Sequence, residues 1–275
     1  PLIAKYNLWT VIHNTEQIQA IRKTKLNSVI DVWLKMNSGM HRLGIMPQDF
    51  VKTYRQLTRM PQVGKITLMS HFSSADDLAS DFTKAQMVCF DLHSADLHAD
   101  VSLANSAATL AHHNTHRQWQ RPGIMLYGAS PFDCYHPVAE QLQCAMTLSS
   151  EVIAIHRLNK GDAVGYNSGF VCDKPMVIAT VALGYGDGYP RQAKIGTPIL
   201  VNNQRCHLLG RVSMDMLAID VTHLDNVDLG AYVEFWGDNL AVTEVAPYCD
   251  TIAYTLLTGI SQRVHRVITT SSCKH

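Results

Sequence analysis

The chain has 275 residues, 47% of them hydrophobic and 17% charged, which is typical of a globular protein of one or two domains. Basic and acidic residues number 23 each, so the charge gives no reason to expect a nucleic acid or an anionic membrane as partner. No apolar run reaches the roughly 18–20 residues of a membrane span. Seven irregularly spaced cysteines without a CxxC pair favour reduced thiols and a cytoplasmic location.

The first half of the chain alternates short apolar runs with helical patterns. Asn14 and Gln17 have the spacing of a helix capping box, and Pro47 suits the first turn of a later helix. Further helices are predicted over Phe82–His93 and from Asn105 to about His112. Strands are predicted at Leu8–Ile12, Val29–Met36, Lys65–Ser70, Ala99–Ala104 and near Gly123–Tyr127. Five βα units are compatible with part of an eight-stranded βα barrel and with an open parallel sheet.

The second half is predicted to be a mostly β domain with one late helix at about Val242–Ile260. Asn202 and Asn203 form a plausible hairpin turn, because asparagine tolerates a positive φ. The predicted strands are Ala145–Ile155, Met176–Leu183, Pro198–Val201, Cys206–Leu209 and Met216–Val221. The composition changes near Cys134–Gln143, so we assign the domains to residues 1–137 and 138–275.

Three segments after predicted strands carry residues suited to chemistry. The glycines of Gly184–Arg191 would let Tyr185 approach a ligand, although a turn around a packed tyrosine is the commoner reason for such a loop. Arg42 offers a rigid fork of donors for a phenolate, carboxylate or phosphate, or it is an ordinary surface arginine. His71 ends the third strand, where a lone histidine is more often structural than catalytic.

Two further loops favour a phosphate site if the sheet is a barrel. Ser106 follows the fourth strand, and Gly123 and Ile124 lie near the fifth. Barrel enzymes often bind a phosphate between the loops that follow their last two strands, through a hydroxyl and backbone N–H groups. Neither loop is informative alone.

A metal site is the weaker alternative. The first candidate group, His112, His113 and His116, lies at the exposed end of a helix and has no carboxylate or cysteine at ligand spacing. The second, His93 and His98 with Asp96 and Asp100, is an equally weak candidate. No metal is therefore expected.

Taken in order, six stretches resemble one family, the alanine racemases, which are pyridoxal-phosphate (PLP) enzymes with a βα barrel followed by a β domain. The stretches are LKMNSGMHRLG, SHFSSAD, LANSA, QRPGIMLYG, GYGDGYPR and GRVSMDM. The resemblance extends from Leu8 to about Ile268. It implies interconversion of L- and D-alanine for peptidoglycan precursors, through a PLP aldimine and a two-base mechanism.

The resemblance also implies roles for individual residues on the cofactor side. Arg121 would pair with the pyridine nitrogen of PLP, supported by Asn105, and Arg42 would contact the phenolic oxygen. The phosphate would be held by Ser106, Gly123 and Ile124. Lys35 matches a lysine that is carbamylated in many members.

On the substrate side, the resemblance makes Tyr185 one of the two catalytic bases, tuned by a bond to His71. The Met214 N–H would take the substrate carboxylate with Asp215 beside it. In this family the tyrosine and methionine serve the partner subunit's site, so a homodimer is implied.

One family feature has no match in this chain, the segment on the first barrel strand with the lysine that binds PLP. By the resemblance, the five βα units correspond to strands four to eight, so we expect a chain that is N-terminally incomplete and inactive alone. Residues 269–275 extend past the family's usual end. The alternatives are a racemase of broader specificity that also acts on serine, and a non-catalytic remnant.

Overall fold

The computed structural model describes residues 1–269, so the predicted tail at 269–275 lies outside the described residues except for Thr269. The chain forms two compact units. The first comprises Pro1–Leu126 and Ser130–Gln141. The second comprises Tyr127–Ala129 and the chain from Leu142 onward.

The first unit alternates strands and helices as the sequence predicts. Its strands are β1 (Thr10–Ile12), β2 (Ile30–Lys35), β3 (Val63–Met69) and β4 (Asp100–Ser102). Its helices are α1 (Leu2–Lys5), α2 (Thr15–Lys23), α3 (Pro47–Thr58), α4 (Phe82–Ser94) and α5 (Ser106–Ala111). The four strands form one parallel sheet in the order β1-β2-β3-β4. Their carboxyl ends therefore lie along the same edge.

Local sequence signals explain much of this unit. The Asn14 side chain accepts a hydrogen bond from the Gln17 N–H at 2.9 Å, and the Gln17 side-chain oxygen accepts one from the Asn14 N–H, so the predicted capping box is confirmed. Pro47 occupies the first turn of α3, where its missing N–H has no helical partner to lose. Val32 and Leu34 are fully buried on one face of β2.

The prediction of five βα units is not confirmed for the described chain, because the parallel sheet has four strands. Ile124–Tyr127, within the fifth predicted strand, forms a 3₁₀-helix. A single parallel bridge between Ser102 and Trp119 continues the sheet just upstream. A short apolar run does not by itself distinguish a strand from a helical turn.

Three tryptophans cluster on the first unit. The ring centroids of Trp9 and Trp33 lie 5.9 Å apart, and Trp119 lies 5.2 Å from Trp9 and 6.0 Å from Trp33. The indole of Trp119 donates to a carboxylate oxygen of Asp100 at 3.1 Å. These rings join residues from three separate segments of the chain.

The second unit contains a closed, six-stranded antiparallel barrel. Its strands are β5 (Leu148–Leu158), β8 (Met176–Val181), β9 (Pro198–Val201), β10 (Gln204–Leu209), β11 (Leu217–Asp220) and β12 (Tyr232–Trp236). They are paired in the order β10-β11-β8-β5-β12-β9. A separate pair is formed by β6 (Ala163–Val164) and β7 (Phe170–Val171). Asn202 and Asn203 both have positive φ and connect β9 to β10, which confirms the predicted hairpin turn.

The late helix and three strands of this unit, β6, β7 and β12, differ from the sequence prediction. The single helix at Val242–Ile260 is divided into α6 (Val242–Val245), a 3₁₀ turn at Ala246–Cys249 and α7 (Ala253–Gly259). The break follows from Pro247 in that turn and from Asp250, whose φ of 51° is left-handed. The strand β12 was not predicted, because most of its residues are buried and it shows no alternation of apolar and polar side chains.

Candidate active site

Arg121 is the centre of a polar cluster at the carboxyl edge of the parallel sheet. Its guanidinium donates to the Ser102 hydroxyl at 2.5 Å, to the Ser70 carbonyl at 2.6 Å and to the Leu103 carbonyl at 3.3 Å. It also lies 3.4 Å from Nδ1 of His71. These four partners follow or end β3 and β4, so the strand ends hold the guanidinium in place. Burial lowers the pKa of Arg121 to about 10.

Positive charge is concentrated around His71. Burial and the cations of Arg121, Lys35 and Arg42 lower the pKa of His71 to about 4. Burial, Arg42 and Arg121 likewise lower the pKa of Lys35. The imidazole is therefore neutral at pH 7, and the short distance to Arg121 makes Nδ1 the acceptor and Nε2 the N–H of the ring.

The backbone of the His71 loop is held by a buried glutamine of α4. Gln86 is 1% exposed, and its side-chain amide donates to the His71 carbonyl at 3.1 Å. Its amide oxygen accepts from the Ser73 N–H at 3.0 Å. On the other side of the loop, the Ser70 hydroxyl lies 2.6 Å from that of Ser38. No local sequence pattern marks Gln86 as part of this site.

The two loops expected to bind a phosphate lie together. The Ser106 hydroxyl accepts a hydrogen bond from the Gly123 N–H at 2.7 Å, and Ile124 begins the 3₁₀ turn directly after it. Asn105 has a different partner from the one expected. Its side-chain oxygen accepts from the Ala108 N–H at 3.0 Å and caps α5, and among residues 1–269 we find no hydrogen bond from it to Arg121.

The remaining predicted residues lie on two loops of the second unit that pack against each other. Tyr185 donates its N–H to the Ser213 carbonyl at 3.0 Å, and Gly186 donates to the Met214 carbonyl at 2.8 Å. A side chain at Gly184 would collide with both carbonyls, so glycine is required for this approach. The glycine pattern thus brings Tyr185 beside Met214.

The side chains of this loop pair are open. Tyr185 is 38% and Met214 53% exposed, and the Asp215 carboxylate is also exposed. Both Asp215 and Asp187 are bound by Arg263, which the sequence analysis missed. The expected bond between His71 and Tyr185 would join residues of different units and stays a prediction.

The histidines considered as metal ligands have other contacts. His112 Nε2 lies 2.9 Å from the Ala75 carbonyl, and His116 Nε2 lies 3.0 Å from the Thr109 carbonyl. In the described part of the chain, no three His, Cys, Asp or Glu side chains are grouped as metal ligands would be. Across the same residues, no helix has the length and apolar character needed to cross a membrane.

The first unit thus combines a parallel βα sheet with a group of cations at its carboxyl edge and a neutral histidine beside a half-buried arginine. This arrangement is typical of α/β enzymes that bind an anionic ligand at the ends of their strands.

The chain belongs to the alanine racemase family. The family's N-terminal domain matches residues 1–131, and its C-terminal domain matches residues 145–268. By this similarity the fold is that of an N-terminal α/β barrel domain followed by a C-terminal β domain.

Individual relatives agree with this assignment. The chain is 46% identical to the alanine racemase of Pseudomonas syringae pv. syringae, over 97% of this chain and 74% of that protein. It is similar to the crystal structure of the biosynthetic alanine racemase from Pseudomonas aeruginosa, with a TM-score of 0.94, 41% identity and coverage of 98% and 75%. The alanine racemase of Bartonella henselae, solved with covalently bound pyridoxal phosphate, has a TM-score of 0.86, 25% identity and coverage of 97% and 74%.

Proposed function

We propose that this chain interconverts L- and D-alanine with PLP as cofactor. The observation that carries the proposal is the group of cations around His71 at the carboxyl edge of the sheet, since PLP presents a phosphate and a phenolic oxygen that carry negative charge. When bound, PLP withdraws electrons from the substrate's α-carbon and so eases removal of its proton.

Five groups of the first unit would hold the cofactor. Arg121 would face the pyridine nitrogen, and because a guanidinium retains its proton at neutral pH it would keep that nitrogen unprotonated. Arg42 would face the phenolic oxygen. Ser106 and the backbone N–H groups of Gly123 and Ile124 would bind the phosphate, which would compete for the present bond between Ser106 and Gly123.

Tyr185 would move the α-proton on one face of the substrate. An ordinary tyrosine has a pKa of about 10, so its phenolate needs support near neutral pH. The neutral His71 ring offers its Nε2–H for that purpose, because Nδ1 is engaged by Arg121. We propose that, in a homodimer, Nε2 donates to the phenolic oxygen of the partner's Tyr185 and stabilises it as a phenolate.

The substrate's carboxylate would be bound by the Met214 N–H, with Asp215 beside it. We propose further that a homodimer forms and that Tyr185 and Met214 act in the partner's site. Their exposure supports this, since it leaves them available to a second copy of the chain.

We also propose that Lys35 is carbamylated. Its lowered pKa favours the neutral amine, whose nitrogen would attack CO₂ with formation of an N–C bond and release of a proton. The product carries a negative charge, which the nearby Arg42 and Arg121 would stabilise. Intact mass with and without bicarbonate tests this step.

The activity is tested by supplying the chain with PLP and L-alanine and measuring D-alanine, with serine as the competing substrate and Arg121→Ala as the control. Formation of D-alanine by the wild-type chain alone supports the proposal and contradicts the expectation that the chain is inactive alone, whereas faster turnover of serine would favour the broader racemase. Borohydride reduction and peptide mapping identify any lysine that carries PLP. If the folded chain neither retains PLP nor forms D-alanine, the proposal is wrong for this chain.

The shared site is tested by mixing two inactive variants, Tyr185→Phe and Arg121→Ala. If each site combines Arg121 of one chain with Tyr185 of the other, the mixed dimer has one intact site and activity returns. The double variant mixed with wild-type chain is the control, since its mixed dimers have no intact site. No recovery despite subunit exchange would contradict the shared site. The cytoplasmic location stays a prediction.

A further inference from the structure

We propose that Arg263 is a positioning residue that joins the loop bearing Tyr185 to the loop bearing Met214 and Asp215. The inference rests on the proposed function, which gives these loops their roles in catalysis and carboxylate binding. Arg263 itself is outside the six stretches that define the resemblance.

The contacts of Arg263 span both loops. Its Nε donates to Asp187 at 2.7 Å, and its Nη2 donates to Asp215 at 2.8 Å and to the Met214 carbonyl at 3.4 Å. Asp187 in turn accepts from the Gly184 N–H at 2.8 Å, at the start of the turn that contains Tyr185. The Arg263 side chain therefore connects Asp187, which closes the loop bearing Tyr185, with the loop bearing Met214 and Asp215.

The geometry requires a planar fork of donors rather than a positive charge alone. Nε and Nη2 donate to two different carboxylates in fixed directions. A lysine ammonium is a compact charge on a flexible stem, and it would hold the two carboxylates in place less well. Space for the fork comes from Gly186, where a Cβ would lie 2.6 Å from Nη2 of Arg263. Glycine at this position therefore serves the contact between the two loops.

The same contacts neutralise charge where an anion is expected. The hydrogen bonds to Asp187 and Asp215 raise the pKa of Arg263, so it remains charged. Without it, two carboxylates would stand without a cation on the loops that carry Tyr185 and Met214, whose N–H we assign to the substrate's carboxylate. Repulsion between like charges would weaken binding of an anionic group, and salt would screen that repulsion.

Three variants of the full chain separate this role from general stabilisation. Arg263→Gln removes the fork and the charge, and Arg263→Lys restores charge only. Arg205→Gln is the matched control, since Arg205 is an arginine of the same unit with nearly the same exposure, paired with Glu244 away from both loops.

The first readout is hydrogen exchange of the free chain, which needs no activity. We expect Arg263→Gln to accelerate exchange of the Tyr185 and Gly186 amides about tenfold or more, Arg263→Lys to accelerate it less, and Arg205→Gln to leave it unchanged. Unchanged exchange in a folded Arg263→Gln chain would overturn the proposal, as would acceleration spread evenly over the second unit. Should Arg263→Gln fail to fold, Arg263→Lys alone decides by the same criterion.

The second readout is the split between KM and kcat for alanine. We expect Arg263→Gln to raise KM about tenfold, more than it lowers kcat, and added salt to reduce that KM. An unchanged KM would contradict the charge role. A chain that shows the expected exchange but no racemisation retains the positioning role and refutes the proposed function, so the two failures are distinguishable.

Discussion

Replacing His71 by glutamine should make the free energy of unfolding depend less on pH as the pH falls from 6.5 toward 4. The folded chain holds His71 at a pKa of about 4, against 6.5 for an ordinary histidine. Between these values the unfolded chain binds a proton that the folded chain does not. The stabilising contribution of the neutral ring is therefore complete above pH 6.5 and is lost as the pH falls toward 4.

The size of the effect follows from the same two values. The difference corresponds to roughly 3 kcal/mol at about 1.4 kcal/mol per pH unit, and since the ring is partly open to solvent we expect about 1–2 kcal/mol. Burial is the largest cause, and the cations of Arg121, Lys35 and Arg42 add to it. Lys35→Met should therefore raise the pKa of His71 and leave it below 6.5.

The assay is urea unfolding of the wild-type and His71→Gln chains at intervals from pH 7 to pH 4.5. Carboxylates and other histidines titrate in both chains, so the difference between the two free energies of unfolding isolates His71. As the pH falls, the wild-type chain should lose about 1–2 kcal/mol more of its free energy of unfolding than the His71→Gln chain does. Parallel curves, or an NMR titration of the His71 ring near pH 6.5, would refute the electrostatic description of the site.

Substitutions at Gln86, Tyr189 and Ser106 give three further predictions. Gln86→Leu should leave the His71 carbonyl without its donor and destabilise the chain by about 1–3 kcal/mol in chemical unfolding, with Gln86→Glu unable to restore that donor when ionised. Tyr189→Phe should cost less than about 1 kcal/mol or raise the melting temperature, because the buried Tyr189 hydroxyl has no hydrogen-bond partner among residues 1–269. Ser106→Ala should weaken binding of PLP more than binding of pyridoxal, which lacks the phosphate, as measured by absorbance titration.

Each of these has a clear contrary result. Wild-type stability in Gln86→Leu would show that the loop does not depend on this donor. A loss of more than about 2 kcal/mol in Tyr189→Phe would reveal a partner for the hydroxyl. An equal loss of affinity for PLP and pyridoxal in Ser106→Ala would exclude Ser106 as a phosphate contact.

The features that the sequence predicts well are local. The capping box of α2 depends on two residues three positions apart, and the turn at Asn202 and Asn203 depends on two neighbours. The positions of β2 and β3 follow from contiguous apolar runs, and the predicted residues at their carboxyl ends meet because parallel strands end at one edge. The run at Ile124–Tyr127 failed because its composition suits a strand and a 3₁₀ turn equally.

The residues that support the candidate site are determined by distant contacts instead. Arg263 binds carboxylates 76 and 48 positions earlier in the chain, and no local pattern marks it. Gln86 lies in the middle of a helix, where glutamine is ordinarily exposed, and only packing brings it against His71, 15 positions away. Such partners emerge once the fold has brought the segments together.

The distribution of tryptophans provides a built-in optical label for each unit. Three of the four, Trp9, Trp33 and Trp119, lie together in the first unit, and Trp236 is fully buried in the second. Close indoles exchange excitation energy, so their joint near-ultraviolet circular dichroism reports on the parallel sheet of the first unit. Trp236→Phe would leave fluorescence from the first unit alone, and the two units' unfolding transitions could then be followed separately within one chain.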